Sequence, residues 1–274
     1  MIHERQEHLF YQFIMLAAAV TIGVILQSIG SIGSISFVYP YLDMPLRLDN
    51  VVAFWPLFAY GISLFILSWM IGEEKVYSSH LDGKLWRYGM ATGNLAAIWE
   101  ELGYRMSFVG VAMIMIVIVN WILGTAFGVV LVVAAIVIAF GLIVSDNAPS
   151  SLAVVPLIVG GGGGFALATT DPLYWFYESI MIPLINFCSL GSFDSILVNP
   201  EVHDPLFLMG AVLANAWFRD GHQYQGPTGL LNAWIYGFVA IYATMTYGLL
   251  TAIVIHALWN SMVSTLRYLK RKVS

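Results

Sequence analysis

The chain has 274 residues, of which 59% are hydrophobic and 10% are charged, and its mean hydropathy is +0.82. Soluble domains carry about a quarter charged residues, so this composition excludes a soluble globular protein and a disordered chain. The formal net charge of -5 supplies no global positive field for phosphate backbones, which excludes a nucleic-acid-binding protein. The single cysteine, Cys188, excludes an internal disulfide and a metal site built from several cysteines.

Apolar runs recur along the chain, and a membrane-spanning helix needs roughly 20 such residues. They lie at about 9–30, 51–71, 107–123, 125–144, 152–168, 173–190, 206–222 and 230–268. The last run is too long for one crossing at ~1.5 Å per residue, and Gly248 near its middle predicts a break. The more polar segment 88–106 is also predicted to be helical. The sequence therefore predicts an all-α, polytopic membrane helix bundle with eight to ten transmembrane helices.

Basic side chains outside the apolar runs predict the orientation of the chain, since cytoplasmic loops carry an excess of Lys and Arg. The loop at 72–87 holds Lys75, Lys84 and Arg87. The end of the chain holds Arg267, Lys270, Arg271 and Lys272. Two spans precede the loop, so we expect both termini in the cytoplasm and an even number of crossings. We expect a multi-pass integral protein of a prokaryotic cell membrane, because the chain has no long soluble tails.

Five consecutive glycines at 160–164 interrupt an apolar run. One interpretation is a flexible or closely packed helix segment. The other is a broken helix that lines a cavity, as in transporters. The run lacks the residue order of a dinucleotide-binding or phosphate-binding loop.

The first polar cluster inside a predicted helix is Glu100-Glu101-x3-Arg105. Ionisable groups in hydrocarbon are rare and usually functional, because each costs about 2.5–3.5 kcal/mol at a helix centre on insertion scales. At ~100° per residue the two glutamates face different directions. Glu101 can pair with Arg105 at i,i+4, which leaves Glu100 free for chemistry. The alternative is a routine ion pair on a helix surface.

Two further clusters each contain a histidine. In the first, Phe218 and His222 share one helix face; in the second, His256 and Asn260 project side by side and can donate hydrogen bonds to one point. The alternatives are a histidine satisfied at the membrane interface and a polar contact between helices. Together with the glutamates, these side chains can activate a water molecule and stabilise an oxyanion.

In this order, Glu-Glu-x3-Arg at 100–105, Phe-x3-His at 218–222 and His-x3-Asn at 256–260 resemble the motifs of the CPBP family. This family of CAAX proteases and bacteriocin-processing enzymes, also called the abortive-infection family, includes the Ras-converting type II CAAX prenyl endopeptidase. The resemblance covers about 88–106 and 206–266. The gap between the first two motifs is longer than is usual in the family.

The resemblance implies an intramembrane endopeptidase of the glutamic type, with its catalytic site inside the bundle and without a metal ion. Glu100 matches the general base that acts on a water molecule, and His222 matches the histidine that holds this water. His256 and Asn260 match the pair that stabilises the oxyanion. The supporting positions are Glu101, Arg105 and Phe218.

The resemblance also implies a domain organisation and a partner. Residues 1–87 form the N-terminal transmembrane helices and a cytoplasmic loop, and residues 88–274 form a protease core with a long inserted helical region at about 107–205. The implied substrate is a prenylated CAAX-type or other membrane-associated peptide in the lipid bilayer, and no nucleic acid is a partner.

Three other functions stay open at this point. A zinc protease could use Glu100, His222 and His256, since two histidines and a carboxylate are suitable zinc ligands. A transporter could use Glu178 and the glycine run to line a pathway. An inactive scaffold or immunity protein could keep the fold without the activity.

Overall fold

The structure, a computed structural model, describes residues 2–33, 35–70, 86–144, 149–169, 171–188, 191 and 205–273. The helices are α1 (Ile2–Ile29), α2 (Leu48–Val52), α3 (Trp55–Met70), α4 (Trp86–Leu102), α5 (Phe108–Trp121), α6 (Phe127–Val144), α7 (Val154–Pro156), α8 (Gly162–Thr169), α9 (Pro172–Phe176), α10 (Ile182–Cys188), α11 (Pro205–Asp220), α12 (Gly226–Tyr247) and α13 (Leu249–Val273). Two short strands, β1 (Ser31–Ile32) and β2 (Ile35–Ser36), pair antiparallel. The predicted all-α class is confirmed.

Several of these helices are joined by wider or tighter helical turns. Turns of π-helix lie at Gly103–Ser107, Ile122–Ala126, Leu157–Gly161 and Tyr177–Met181. Short 3-10 helices lie at Pro40–Asp43, Ser150–Ala153 and Gln223–Gln225. A π turn inserts one extra residue into a helix and is frequent at functional sites; the first of them carries Arg105.

The chain divides into two compact units. The first comprises Met1–Ala112 together with Gly210–Ser274, and the second comprises Met113–Met209. The predicted organisation, with a boundary at residue 87 and an inserted region at about 107–205, stays a prediction.

In the first unit, α13 packs along α4 and α12, and α4 packs against α1. A Cβ atom on Gly93 would lie 3.2 Å from the Cβ of Asn260, so α4 and α13 approach each other closely. Small residues permit such close approach between apolar helices. The buried core beside this contact contains Phe218, Tyr236 and Trp259.

In the second unit, the glycine run lies within helix, in the π turn Leu157–Gly161 and in α8. A Cβ atom on Gly164 would lie 2.5 Å from the carbonyl oxygen of Gly128. A Cβ atom on Gly160 would lie 2.8 Å from the Cβ of Ala135. Of the two interpretations of the run, this packing supports the closely packed helix.

Five helices among the described residues are long and apolar enough to cross a membrane: Leu9–Ile29, Leu48–Leu67, Trp86–Val144, Gly229–Tyr247 and Leu249–Lys270. A sixth span is formed if Ser151–Leu167 and Pro172–Phe187, which are bent against each other, count as one broken span. These helices support a membrane protein, while the predicted count of eight to ten is not confirmed.

The predicted and the observed numbers of membrane-spanning helices differ for two physical reasons. Trp86–Val144 is 59 residues of helix, and it takes in three separately predicted segments, because the π turns continue the helix where an interruption was expected. In addition, α11 has 16 residues, fewer than the ~20 that one crossing needs.

The predicted break at Gly248 is confirmed. The residue separates α12 from α13 and has a φ of 92°. The predicted orientation stays a prediction, since Lys75 and Lys84, on which it partly depends, lie outside the described residues.

Candidate active site

Three stretches of the first unit carry the predicted site residues. Helix α4 carries the two glutamates, Glu100 and Glu101, in its last turn and continues into the π turn that holds Arg105. Near the end of α11 lies Phe218, followed by His222 one turn later. The remaining two residues, His256 and Asn260, lie on α13.

The buried centre of this group is Glu101, whose side chain is 0% exposed. Its Oε1 lies 2.7 Å from Nδ1 of His256. Its Oε2 lies 3.3 Å from Nε of Arg105, which is the predicted i,i+4 pair. The Arg105 side chain is 2% exposed. The Arg105 guanidinium and a hydrogen bond from the His256 ring compensate for the burial of the carboxylate, which would otherwise be costly.

The adjacent glutamate has a different environment, as its position on the helix predicts. Oε2 of Glu100 lies 3.5 Å from Nε2 of His256, and the side chain keeps 15% of its surface exposed. The imidazole of His256 therefore lies between two carboxylates, one on each ring nitrogen. Glu101 is enclosed, whereas Glu100 retains access to the surroundings.

The ring of Phe218 lies between both histidines of the site and Arg105, the cation of the buried ion pair. The His222 ring lies 4.5 Å from it, centroid to centroid, which confirms the predicted contact. The His256 ring lies 6.2 Å away, edge-on. The guanidinium carbon of Arg105 lies 5.2 Å from the same centroid, within the range of a cation–π contact.

The orientation of His222 is fixed by a carbonyl group in the last turn of α11. Its Nδ1 lies 2.7 Å from the carbonyl oxygen of Phe218. A carbonyl can only accept, so Nδ1 carries the hydrogen. In a neutral imidazole, Nε2 is then an acceptor. The ring can therefore accept a hydrogen bond from a water molecule through Nε2.

Asn260 makes a contact that the motif did not predict. Its Nδ2 donates a hydrogen bond of 2.8 Å to the carbonyl oxygen of Gly93 on α4. Both nitrogens of His256 meanwhile face glutamates. This hydrogen bond joins α13 to α4, and the role of Asn260 at an oxyanion stays a prediction.

Three tyrosines around the site were missed by the sequence analysis. The hydroxyl of Tyr41 donates to the carbonyl oxygen of Arg105 at 3.0 Å. Tyr104 packs edge-on against Phe218, with 5.2 Å between ring centroids. The ring of Tyr236 lies 4.8 Å from that of His256. None belongs to a motif, and only the position of Tyr104, between Glu101 and Arg105, could have drawn attention to it.

A cavity of about 440 Å³ lies beside the turn that carries His222. Nε of Arg219 donates to Oδ1 of Asp220 at 2.8 Å. The Arg219 guanidinium also lies over the Trp234 ring, 5.1 Å from its centroid. The cavity lining thus contains both polar and apolar side chains, and it is completed by Gln223, Leu230 and Leu231.

The zinc hypothesis requires three ligands that converge on one point. Within the described ranges, no group of three or more His, Cys, Asp or Glu side chains could hold a metal ion. The nitrogens of His256 face carboxylates and Nδ1 of His222 faces a carbonyl. Within the described residues, Glu100, His222 and His256 therefore do not form such a group.

Comparisons of the chain with protein-family models, with curated proteins and with solved structures gave no match. The resemblance to the CPBP family thus rests on the three motifs at 100–105, 218–222 and 256–260. Membership of that family stays a prediction.

Proposed function

We propose that this protein is an intramembrane endopeptidase of the CPBP type, which hydrolyses a peptide bond in a prenylated CAAX-type or other membrane-associated substrate. The observation that carries the proposal is the position of His256 between Glu101 and Glu100, at 2.7 and 3.5 Å. Residues from two motifs 155 positions apart meet there, and the third motif adjoins them through Phe218.

Glu100 is the general base in this proposal, because its carboxylate is the more accessible of the two. It removes a proton from a water molecule while the water oxygen forms a bond to the carbonyl carbon of the substrate. The carbonyl oxygen becomes an oxyanion. When the C–N bond breaks, the protonated carboxyl of Glu100 returns the proton to the leaving amine. Positioned proton transfer contributes roughly 10²–10⁴ in rate.

The histidines and the amide have separate roles. His222 accepts a hydrogen bond from the attacking water through Nε2, since Nδ1 is bonded to the Phe218 carbonyl. Asn260 donates to the oxyanion through its amide, and His256, whose Nδ1 Glu101 holds, donates to it through Nε2 when that nitrogen also carries a hydrogen. Arg105 balances the charge of Glu101 inside the protein.

The substrate and its products need a route to this site. The cavity beside Arg219 and Asp220 is suited to a peptide that lies at the membrane surface, because it combines charged groups with leucines and an indole ring. A lipid-linked C-terminus could then lie along the apolar helices, with its polar backbone near His222.

The topology is part of the same proposal. We place the protein in a prokaryotic cell membrane with eight to ten crossings and a cytoplasmic C-terminus.

The test is cleavage by the purified full-length protein in lipid nanodiscs. A fluorogenic farnesylated CAAX peptide is incubated with it, and the products are identified by mass spectrometry; the same peptide without the prenyl group is the control. We expect one defined cut in the prenylated peptide. Absence of any cut in prenylated or membrane-embedded peptides would contradict the proposal. Stoichiometric zinc in elemental analysis, together with inhibition by chelators, would replace the glutamic mechanism with the metal-dependent one.

A further inference from the structure

Tyr236 is a buried residue of the site to which no motif assigns a role. The residue is 4% exposed. Its ring lies 4.8 Å from the His256 ring and 5.6 Å from the Trp259 ring, centroid to centroid. Its hydroxyl is buried and has no hydrogen-bond partner among the described residues. Since buried hydroxyls nearly always find a partner, this group requires an explanation.

The surroundings of the hydroxyl are strongly charged. The Tyr236 ring lies 6.2 Å from the Phe218 ring, and the guanidinium carbon of Arg105 lies 5.2 Å from the centroid of that same ring. His256, which the Tyr236 ring contacts, is bonded to Glu101. Nη1 and Nη2 of Arg105 are also buried without a hydrogen-bond partner in the described part of the chain, although the side chain is only 2% exposed. Oε2 of Glu101 pairs with Nε of Arg105 at 3.3 Å but makes no hydrogen bond to a described residue.

The hydrogen-bonding capacity of these buried atoms defines the kind of group that could bind between them. The phenol and the guanidinium supply donors, and the Glu101 oxygen supplies an acceptor. A water molecule can accept from Tyr236 and Arg105 and donate to Glu101, which matches the roughly three hydrogen bonds of a typical buried water. A carbonyl oxygen of a substrate could accept from the same two donors.

We propose that Tyr236 and Arg105 form a subsite for an oxygen atom with free lone pairs, occupied by a water molecule at rest or by a substrate carbonyl during turnover. The catalytic relevance of the subsite rests on the proposed proteolytic function. The existence of the subsite does not rest on that function, because the buried donors need an acceptor whatever reaction the protein performs.

The kinetic test is Tyr236→Phe, which removes only the hydroxyl oxygen and keeps the ring against His256. We expect kcat for the farnesylated peptide to fall by about 10²-fold, the typical loss for one oxyanion donor, with an unchanged KM. A raised KM with an unchanged kcat would identify the substrate carbonyl, bound in the ground state, as the guest. The matched control is Tyr242→Phe on the same helix, whose ring lies 6.0 Å from that of Tyr247, and it should change neither constant.

The second measurement needs no activity. An experimental structure of the wild type, at a resolution that shows ordered water, should contain an oxygen within hydrogen-bond distance of both the Tyr236 hydroxyl and Nη of Arg105, and Tyr236→Phe should lose it. Wild-type density shows whether an oxygen atom occupies the subsite, even if the variant does not fold or the wild type cleaves nothing. Empty wild-type density together with unchanged kinetics, or with no cleavage at all, would overturn the subsite.

Discussion

Glu101 and His256 are joined by a hydrogen bond of 2.7 Å between Oε1 and Nδ1, across 155 positions of the chain. The bond connects the end of α4 to the first third of α13, and it holds the imidazole so that Nε2 faces Glu100. Because Glu101 also pairs with Arg105, one carboxylate fixes the position of both an imidazole and a guanidinium.

The first prediction concerns the stability that this carboxylate provides. Glu101→Gln keeps the shape of the side chain but leaves the buried Arg105 charge without its partner. Breaking one side of a buried ion pair typically costs about 3–5 kcal/mol. We expect a clear decrease in the unfolding temperature of the detergent-solubilised protein, and a lower cleavage rate because His256 loses its orientation.

The matched control for Glu101→Gln is Asp49→Asn. Arg47 and Asp49 form an ion pair of 2.9 Å whose side chains are 66% and 64% exposed. Exposed pairs contribute little to stability, so this variant should unfold close to the wild-type temperature. Equal unfolding temperatures for the two variants would show that the buried pair contributes no more than the exposed one.

The second prediction separates chemistry from folding at His222. The ring is half-buried and is held by the Phe218 carbonyl. His222→Ala should lower kcat by about 10²-fold, since a group that holds the reacting water is lost, with little effect on the unfolding temperature. Tyr224→Phe is the control, because it keeps the ring that stacks 6.1 Å from His222. Wild-type turnover in His222→Ala would remove this residue from the mechanism.

The third prediction tests the packing behind the site. A Cβ atom on Gly61 of α3 would lie 2.5 Å from Cζ3 of Trp259, a buried ring in contact with Tyr236. Overpacking of this kind costs typically about 1–3 kcal/mol, so Gly61→Ala should lower the unfolding temperature. Gly141→Ala in α6 meets no atom within 4 Å. It should raise the unfolding temperature slightly, because alanine favours helix over glycine; the opposite ranking would contradict the packing described here.

The fourth prediction concerns the break between α12 and α13. Gly248 has a φ of 92° and a ψ of 156°, a conformation that costs other residues of order 1–3 kcal/mol. A Cβ atom there would also lie 2.5 Å from the Cβ of Met44. Gly248→Ala should reduce the unfolding temperature and displace α13, with a measurable loss of activity at His256. A variant as stable as the wild type would show that the turn tolerates a side chain.

The parts of the fold and site that could be predicted depend on local spacing. The Glu101–Arg105 pair and the Phe218–His222 contact follow from a four-residue separation on one helix, and the break at Gly248 follows from the properties of glycine. The number of crossings could not be predicted in the same way. Apolar residues favour a helix on either side of a π turn, so nothing in their composition marks where one crossing ends.

Contacts between distant segments could not be predicted either. The bonds from Tyr41 to Arg105 and from Asn260 to Gly93 join residues 64 and 167 positions apart. They depend on which helix faces pack together, and a lone tyrosine or glycine in an apolar sequence carries no signal of its partner. The missed Tyr236 has the same cause, because buried tyrosines are common in packed helices and only the structure places this one beside His256.

The most direct measurement of the central claim is single-turnover cleavage of the farnesylated peptide by Glu100→Gln. We expect the single-turnover rate of Glu100→Gln to fall by at least about 10²-fold, as expected for loss of a general base. Its unfolding temperature should not change. Glu178→Gln makes the same chemical change at an exposed glutamate of the second unit and should cleave at the wild-type rate. Wild-type cleavage by Glu100→Gln would contradict the account.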